Sequence, residues 1–501
     1  MRTSRRRFVQ GALATLAAPS LARSRRSDDA LGVAVVGLNG RGAELLARLA
    51  SDPGVRVVAL CDVDEQVLAR AQRGLGEALP VDTHVDFRQL LEREDVQAVV
   101  VATPDHWHAL QTVWACQAGK DVYLEGAVGH GVVEAERLVA SVRAHGRIVQ
   151  SGLQTRSSAA LRSALEWFRG GELGRPLFAR ALCFTAQPSI GSVKGNQRIP
   201  DFVDYDLWCG PAPLTPLRRT RLHHDWRYSH ATGSGELGTL GLQAIDLALR
   251  ALGQTGAPTS VLSLGGRFGY QDDGETPNTQ LVFCAYDPAP LLVELRGLPR
   301  DAAAWSADWD AVMDEIEGVR VGALVHAEGG TLRLTLDGAS AHDLEGKEVR
   351  RFDATGDTDD TGAHLADWLA AVRSRKAEEL AAEVGSARAA SGLVQLGMVT
   401  QRLGKATEAA KVLEAVASSG RITEGVQRVI EHLAANGIDV VVEPEKQAED
   451  AARTAAPAPR PMLVLGPCLE LQSFVTCTGD TGAARLLART YREPYVMPES
   501  P

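Results

Sequence analysis

The first third of this 501-residue chain predicts a doubly wound parallel α/β sheet, and two observations carry that prediction. Short apolar, β-branched runs alternate with helical stretches from Val33 to Ser151, as βαβ units do when they wind around a buried parallel sheet. The first run ends in three glycines, Gly37, Gly40 and Gly42, and passes directly into a helix. The consequence is a strand, a tight turn and an exposed helix N-terminus.

In that turn Gly37 lets the chain reverse, Gly40 removes a Cβ where a pyrophosphate has to approach, and Gly42 lets the helix pack close to the strand. The helix dipole and its unpaired amides favour phosphate, so Gly37, Leu38, Asn39, Gly40, Arg41 and Gly42 are candidate cofactor contacts. The spacing is G-x-x-G-x-G rather than G-x-G-x-x-G. Residues 43–50 form the helix and 55–61 a second buried strand, which ends on Asp62, 20 residues beyond Gly42. A carboxylate there accepts hydrogen bonds from an adenosine ribose and favours NAD over NADP by charge. It serves equally well as the N-cap of a helix over 65–71.

Further on, 87–91 reads as a short helix, 98–102 as a strand, and 103–108 as the opening of a helix that reaches residue 118. Residues 121–124 are a strand, 132–144 a helix and 147–151 a strand. Ligands of such sheets bind at the carboxyl ends of the strands. Thr103, Pro104, Asp105 and His108 fall at one such end, Glu125 at the next, and Gln154 just beyond the third, and all six are candidate cofactor contacts. Beyond them, 259–268, 280–286, 291–296, 319–326 and 331–336 are β-branched or alternating runs separated by Gly, Pro and Asp turns. Residues 363–375, 386–403 and 406–436 are helical, and 449–461 is an Ala/Pro-rich linker.

Composition narrows the function. With 45% hydrophobic and 23% charged residues the chain is an ordinary folded protein. The net charge of −10 falls further once the four arginines of residues 1–22 are removed, which argues against a nucleic-acid partner. Residues 4–22 have the layout of a twin-arginine export signal: consecutive arginines, a short apolar stretch, then Pro19 and a small-residue cleavage site. The mature protein is thus expected outside the cytoplasm, in the periplasm or beyond, exported already folded around any nucleotide. The apolar stretch is well short of the ~20 residues a membrane span needs, and no other stretch spans a bilayer. Seven scattered cysteines without a C-x-x-C pair indicate neither a metal site nor a disulfide framework.

The glycine turn, Cys61 with Asp62, and residues 103–109, 119–125 and 145–150 stand in the order and spacing of the Gfo/Idh/MocA oxidoreductases, which the chain resembles. Residues 204–212, 235–238, Gly241 with Ile245 and Asp246, 402–404 and 491–495 look like landmarks of that family's secreted, twin-arginine branch. The resemblance implies a signal and short linker over 1–30 and an NAD-binding Rossmann domain over 31–153. It also implies a substrate and oligomerisation α/β domain over 154–404, with a large open, mostly antiparallel sheet. A helical extension, the linker and a C-terminal segment fill 405–501. A carbohydrate or polyol ligand and a homo-oligomer are implied as well.

In the resembled family, protons are moved by a Lys in a Glu-Lys-Pro motif and by an Asp/Asn and a His four residues apart on a helix. Here those positions hold Gly126, Thr239 and Gln243, and a further family His is Gln395. Glycine has no proton to give, and Thr and Gln do not titrate near neutral pH. Three functions fit. The first is an oxidoreductase with a relocated catalytic group, drawn from Tyr228, His230, Gln243, His223, His224 or Lys194. The second is an NAD-dependent glycosidase that oxidises its sugar transiently, eliminates the aglycone and restores the alcohol. The third is a sugar-binding pseudoenzyme with structural NAD. His130 reads as a helix N-terminus residue rather than a catalytic one.

Overall fold

The computed structural model describes residues 29–76, 81–353, 359–441, 461–478 and 481–499. The export signal lies outside the described residues, as does all but the last residue of the linker over 449–461.

Six strands, β1 (Leu31–Val36), β2 (Val55–Cys61), β3 (Asp82–His84), β4 (Ala98–Val101), β5 (Asp121–Leu124) and β6 (Val149–Ser151), form one all-parallel sheet in the order 3-2-1-4-5-6. The chain direction reverses between β1 and β4, so a crevice opens at their carboxyl ends. The connecting helices are α1 (Arg41–Ser51), α2 (Glu65–Leu75), α3 (Arg88–Leu91), α4 (Asp105–Gln117) and α5 (Val132–His145). Alternation along β1 sends Ala34 and Val36 to one face, against Leu110 and Val113 of α4 and Leu138 of α5. Val33 and Val35 go to the other, against Leu45 and Leu49 of α1.

The second domain begins with α6 (Ala159–Arg169) and β7 (Pro176–Phe184), followed by α7 (Tyr205–Cys209), α8 (Leu222–Asp225) and α9 (Leu240–Leu252). The remaining long strands are β8 (Ser260–Gly266), β9 (Thr279–Ala285), β10 (Leu291–Arg296), β11 (Val321–Ala327), β12 (Gly330–Thr335), β13 (Ala339–His342) and β14 (Glu348–Phe352). They join β7 in a twelve-stranded sheet of which β7 with β10 is the parallel pair and the other described pairs are antiparallel. Leu242, Ile245 and Leu249 of α9 pack on Ala181, Cys183 and Val325 of the sheet.

Two features depart from the sequence-based layout. Helix α10 (Asp360–Ser374) belongs by position to the second domain, yet Leu365, Trp368, Leu369 and Val372 close the open face of the first sheet beside α1. After α11 (Val384–Leu403), the segment set apart as 405–501 contributes β15 (Lys405–Thr407), β16 (Leu463–Leu465), β17 (Leu469–Ser473) and β18 (Thr476–Thr478) to the second sheet. Its helices α12 (Ala409–Val416) and α13 (Gly420–Ala435) cover that sheet through Val412, Val426 and Val429 against Leu281 and Leu292. A domain boundary at 404 is therefore corrected: three-residue strands are too short to show an alternating pattern. Helix α14 (Thr481–Leu487) is the last described helix, and no described helix is long and apolar enough to cross a membrane.

Candidate functional site

The glycine turn follows its steric logic. Gly37 has φ of 78°, and a Cβ on it would lie 2.6 Å from the Ala102 carbonyl oxygen at the end of β4. A Cβ on Gly42 would lie 1.7 Å from the Gly37 carbonyl oxygen, so only glycine permits α1 to start this close. Gly40, with φ of 55°, has no atom within 4 Å of its Cβ position. That is the open cradle a phosphate needs, and no side chain caps the helix it begins.

Asp62 terminates β2 beside this cradle. Its Oδ2 accepts the Leu38 amide at 2.8 Å and its Oδ1 the Asp64 amide at 3.1 Å. Burial raises its pKa, and the two amides oppose that rise. The N-cap of α2 is Asp64, whose Oδ1 accepts the amides of Gln66 and Val67 at 2.8 and 3.1 Å. Asp62 as helix cap is therefore corrected: it is two residues too early and ties the glycine turn to β2 instead. The second domain closes over this end, with the Glu65 amide on the Phe202 carbonyl at 3.0 Å and the Asp204 amide on that of Val63 at 2.9 Å.

One cavity of about 1070 Å³ runs along the crevice between the domains. Gly37, Asn39, Gly40, Arg41, Asp62, Thr103, Pro104, Asp105, His108, Glu125 and Gln154 all line it. Leu38 and Gly42 lie beneath it: Leu38 donates its amide to Asp62, and Gly42 sets the helix in place. Arg41 crosses the floor, with Nε donating to Glu125 Oε1 at 3.1 Å and Nη1 2.7 Å from Glu44 Oε2. The second oxygen of Glu125 has no partner among the described residues, and burial raises the pKa of this carboxyl against the pull of Arg41. His108 bridges two strand ends, its ring nitrogens 2.8 Å from the Thr103 carbonyl and 3.0 Å from that of Ala127.

At the other end of the cavity stand Gly126, Thr239 and Gln243. Gly126 has φ of 65°, and its Cβ position meets only His108 Cε1, at 3.9 Å. Thr239 Oγ1 donates to Glu236 Oε2 at 2.6 Å. Gln243 is held on both sides, donating to the Gly152 carbonyl at 2.9 Å and accepting from Thr155 Oγ1 at 3.0 Å.

Three of the candidate proton carriers, Tyr228, His230 and Lys194, lie elsewhere. The Tyr228 hydroxyl is turned away from the cavity and donates to Glu236 Oε1 at 3.2 Å, and burial pushes its pKa well up. The short helix 226–228 sends Trp226 and Arg227 into the cavity, and its pitch leaves Tyr228 on the far side. His230 lines a second cavity of about 440 Å³ with His130, Glu275, Gln395 and Arg402. Tyr228 thus stands outside the lining of the crevice, and His230 stands in the second cavity. His130 sits just ahead of α5, with its pKa lowered by burial to about 3. His223 and His224 line the main cavity, paired with Asp64 at 2.8 Å and Asp225 at 3.0 Å, and Lys194 is exposed outside it. The sequence reading passed over Arg227 and Glu236, which pair at 3.8 Å behind Thr239; the 235–238 motif was their available signal.

This arrangement has a match among known proteins. Residues 31–153 fit the Gfo/Idh/MocA model for an oxidoreductase family, NAD-binding Rossmann fold, and residues 190–262 fit its C-terminal alpha/beta domain. A 2,7-anhydro-N-acetylneuraminate hydratase of Mediterraneibacter gnavus is 28% identical over 151 residues, which are 30% of this chain and 39% of that protein. A glycosyl hydrolase family 109 protein of Saccharopolyspora erythraea is 36% identical over 113 residues, 21% of this chain and 25% of that one. The match thus spans well under half the length of both relatives. The WlbA dehydrogenase of Bordetella pertussis, solved with NADH and UDP-GlcNAcA, superposes with a TM-score of 0.54 at 15% identity, over 74% of this chain and 95% of that one. At that identity the likeness is one of fold.

Proposed function

We propose that the protein is an NAD-dependent oxidoreductase that acts on a carbohydrate or polyol and keeps its cofactor bound through the cycle. The carrying observation is the pairing of an open Gly40 cradle with Asp62 at the adjacent strand end, in one cavity that continues to Thr239 and Gln243. In this reading the α1 N-terminus and Gly40 hold the pyrophosphate, Asp62 holds the adenosine ribose, and Glu125 with Arg41 bounds the inner end. The carboxylate charge of Asp62 selects NAD over NADP. The bound nicotinamide would supply a two-electron acceptor at that inner end.

The hydratase and glycosyl hydrolase names of the sequence relatives favour a redox-neutral version, in which oxidation and reduction bracket an elimination. Export by the twin-arginine route supports the same version, because free cofactor is scarce outside the cytoplasm. The fixed roles of Thr239 and Gln243 and the bare Gly126 support the competing reading, a sugar-binding pseudoenzyme with structural NAD. Assembly as a homo-oligomer accompanies all three readings. Mixing the purified protein with a panel of sugars and following nicotinamide absorbance separates them. Net reduction means a dehydrogenase, transient reduction with product release a glycosidase or lyase, and no reduction with saturable sugar binding the pseudoenzyme.

A further inference from the structure

We propose, on the oxidoreductase reading above, that Asp105 is the catalytic base that takes the proton of the sugar hydroxyl. Asp105 is the first residue of α4, at the carboxyl end of β4, and its side chain lines the cofactor cavity while only 6% exposed. Its carboxylate has no hydrogen-bond partner among the described residues, although every other carboxylate deep in the crevice does: Asp62 holds two amides, Asp64 caps α2, and Glu125 accepts from Arg41. A carboxylate that opens on a cleft with no protein donor on it keeps its oxygens free to accept from a ligand there.

The placement suits proton transfer. Oδ2 lies 3.6 Å from where a Cβ on Gly238 would stand, so it faces the residue just ahead of Thr239 with no side chain between. The titratable and charged groups that face it are His108, one turn on, and Arg227 from the second domain, the latter shared with Glu236 at 3.8 Å. Burial raises its pKa, and His108 and Arg227 oppose that rise. In the oxidation, the carbinol O–H bond breaks and its electron pair becomes the C=O π bond. The C–H pair leaves with its hydrogen as hydride to the nicotinamide, and the proton passes to Asp105. The alcohol is oxidised, the nicotinamide is reduced, and the return step reverses both transfers.

The test compares full-length wild type, Asp105→Asn and Asp105→Ala. Asp105→Asn should keep its nucleotide stoichiometry yet lose about 100-fold or more in the rate at which sugar reduces the bound nicotinamide, the range typical of a positioned base. Formate should restore part of the rate to Asp105→Ala. A second readout needs no turnover. A carboxyl whose folded pKa is raised contributes stability that is full below its unfolded value of about 3.9 and is lost as pH rises through the folded value. Asp105→Asn should therefore gain melting temperature relative to wild type as pH rises from about 4 to 7. A wild type that no sugar reduces overturns the oxidoreductase reading and this one with it. A wild type that is reduced, matched by Asp105→Asn, overturns the base alone, and so does an Asp105→Asn whose melting temperature relative to wild type fails to rise between about pH 4 and 7.

Discussion

Asp62→Ala should cost NAD far more than NADP. In the wild type, Oδ2 and Oδ1 already hold the Leu38 and Asp64 amides at 2.8 and 3.1 Å, so the carboxylate is fixed in place before any ribose arrives. Its remaining lone pairs face the cavity, where hydrogen bonds to a charged acceptor contribute about 1.5–3 kcal/mol net. Removing it should weaken NAD by roughly 10- to 150-fold, at about 1.4 kcal/mol per factor of ten. NADP loses less, because the same change removes the charge that repels its extra phosphate. The ratio of the two dissociation constants should thus fall by about tenfold or more. Calorimetric titration of both nucleotides into stripped protein measures it. Asp62→Asn serves as the control, since it keeps an acceptor for one of the two amides. Equal losses for the two nucleotides would refute the ribose role and leave Asp62 as a brace for the glycine turn.

Other consequences follow from buried groups around the site. Arg156 and Asp246 form a bidentate pair at 3.0 and 2.6 Å that joins residues 154–157 to α9, so Asp246→Ala strands a buried guanidinium and should cost about 3–5 kcal/mol in denaturant unfolding. Trp368 is fully buried between α10 and the first sheet, and Trp368→Ala should cost about 3–5 kcal/mol and loosen nucleotide binding, as read by melting temperature with and without NAD. His364 lies between Ser157 Oγ at 2.7 Å and the Ser151 carbonyl at 2.8 Å, and burial lowers its pKa to about 4. Its folded pKa is depressed, so its contribution is present above about 6.5 and lost as pH falls toward 4. His364→Gln should flatten the stability profile in that window.

The first sheet was legible because β1, β2, β4 and β5 are buried, largely apolar runs whose βα turns carry a glycine or acidic mark, whereas β3, three polar and mostly exposed residues, carries no such signal. The glycine cradle and Asp62 were legible for the same reason: their chemistry is local in sequence. What covers the first sheet was not, since α10 lies more than 300 residues beyond β1 and its apolar stripe does not say which sheet it meets. Strand β7, at the heart of the second sheet, was missed because Arg180 interrupts its apolar run; in the fold that arginine is buried against Glu294 at 2.7 Å. Proton carriers proved the hardest to read. Tyr228 and His230 are titratable and close in sequence to Trp226, but whether a loop side chain faces the crevice depends on the turn that carries it. Asp105 was recognised as a crevice residue; that it alone lacks a partner there is a property of the folded chain.

The most direct test of the account is to denature full-length protein purified with its N-terminal segment intact and identify the nucleotide released. The account predicts NAD at close to one per chain. A nucleotide-free supernatant from correctly folded protein would contradict it.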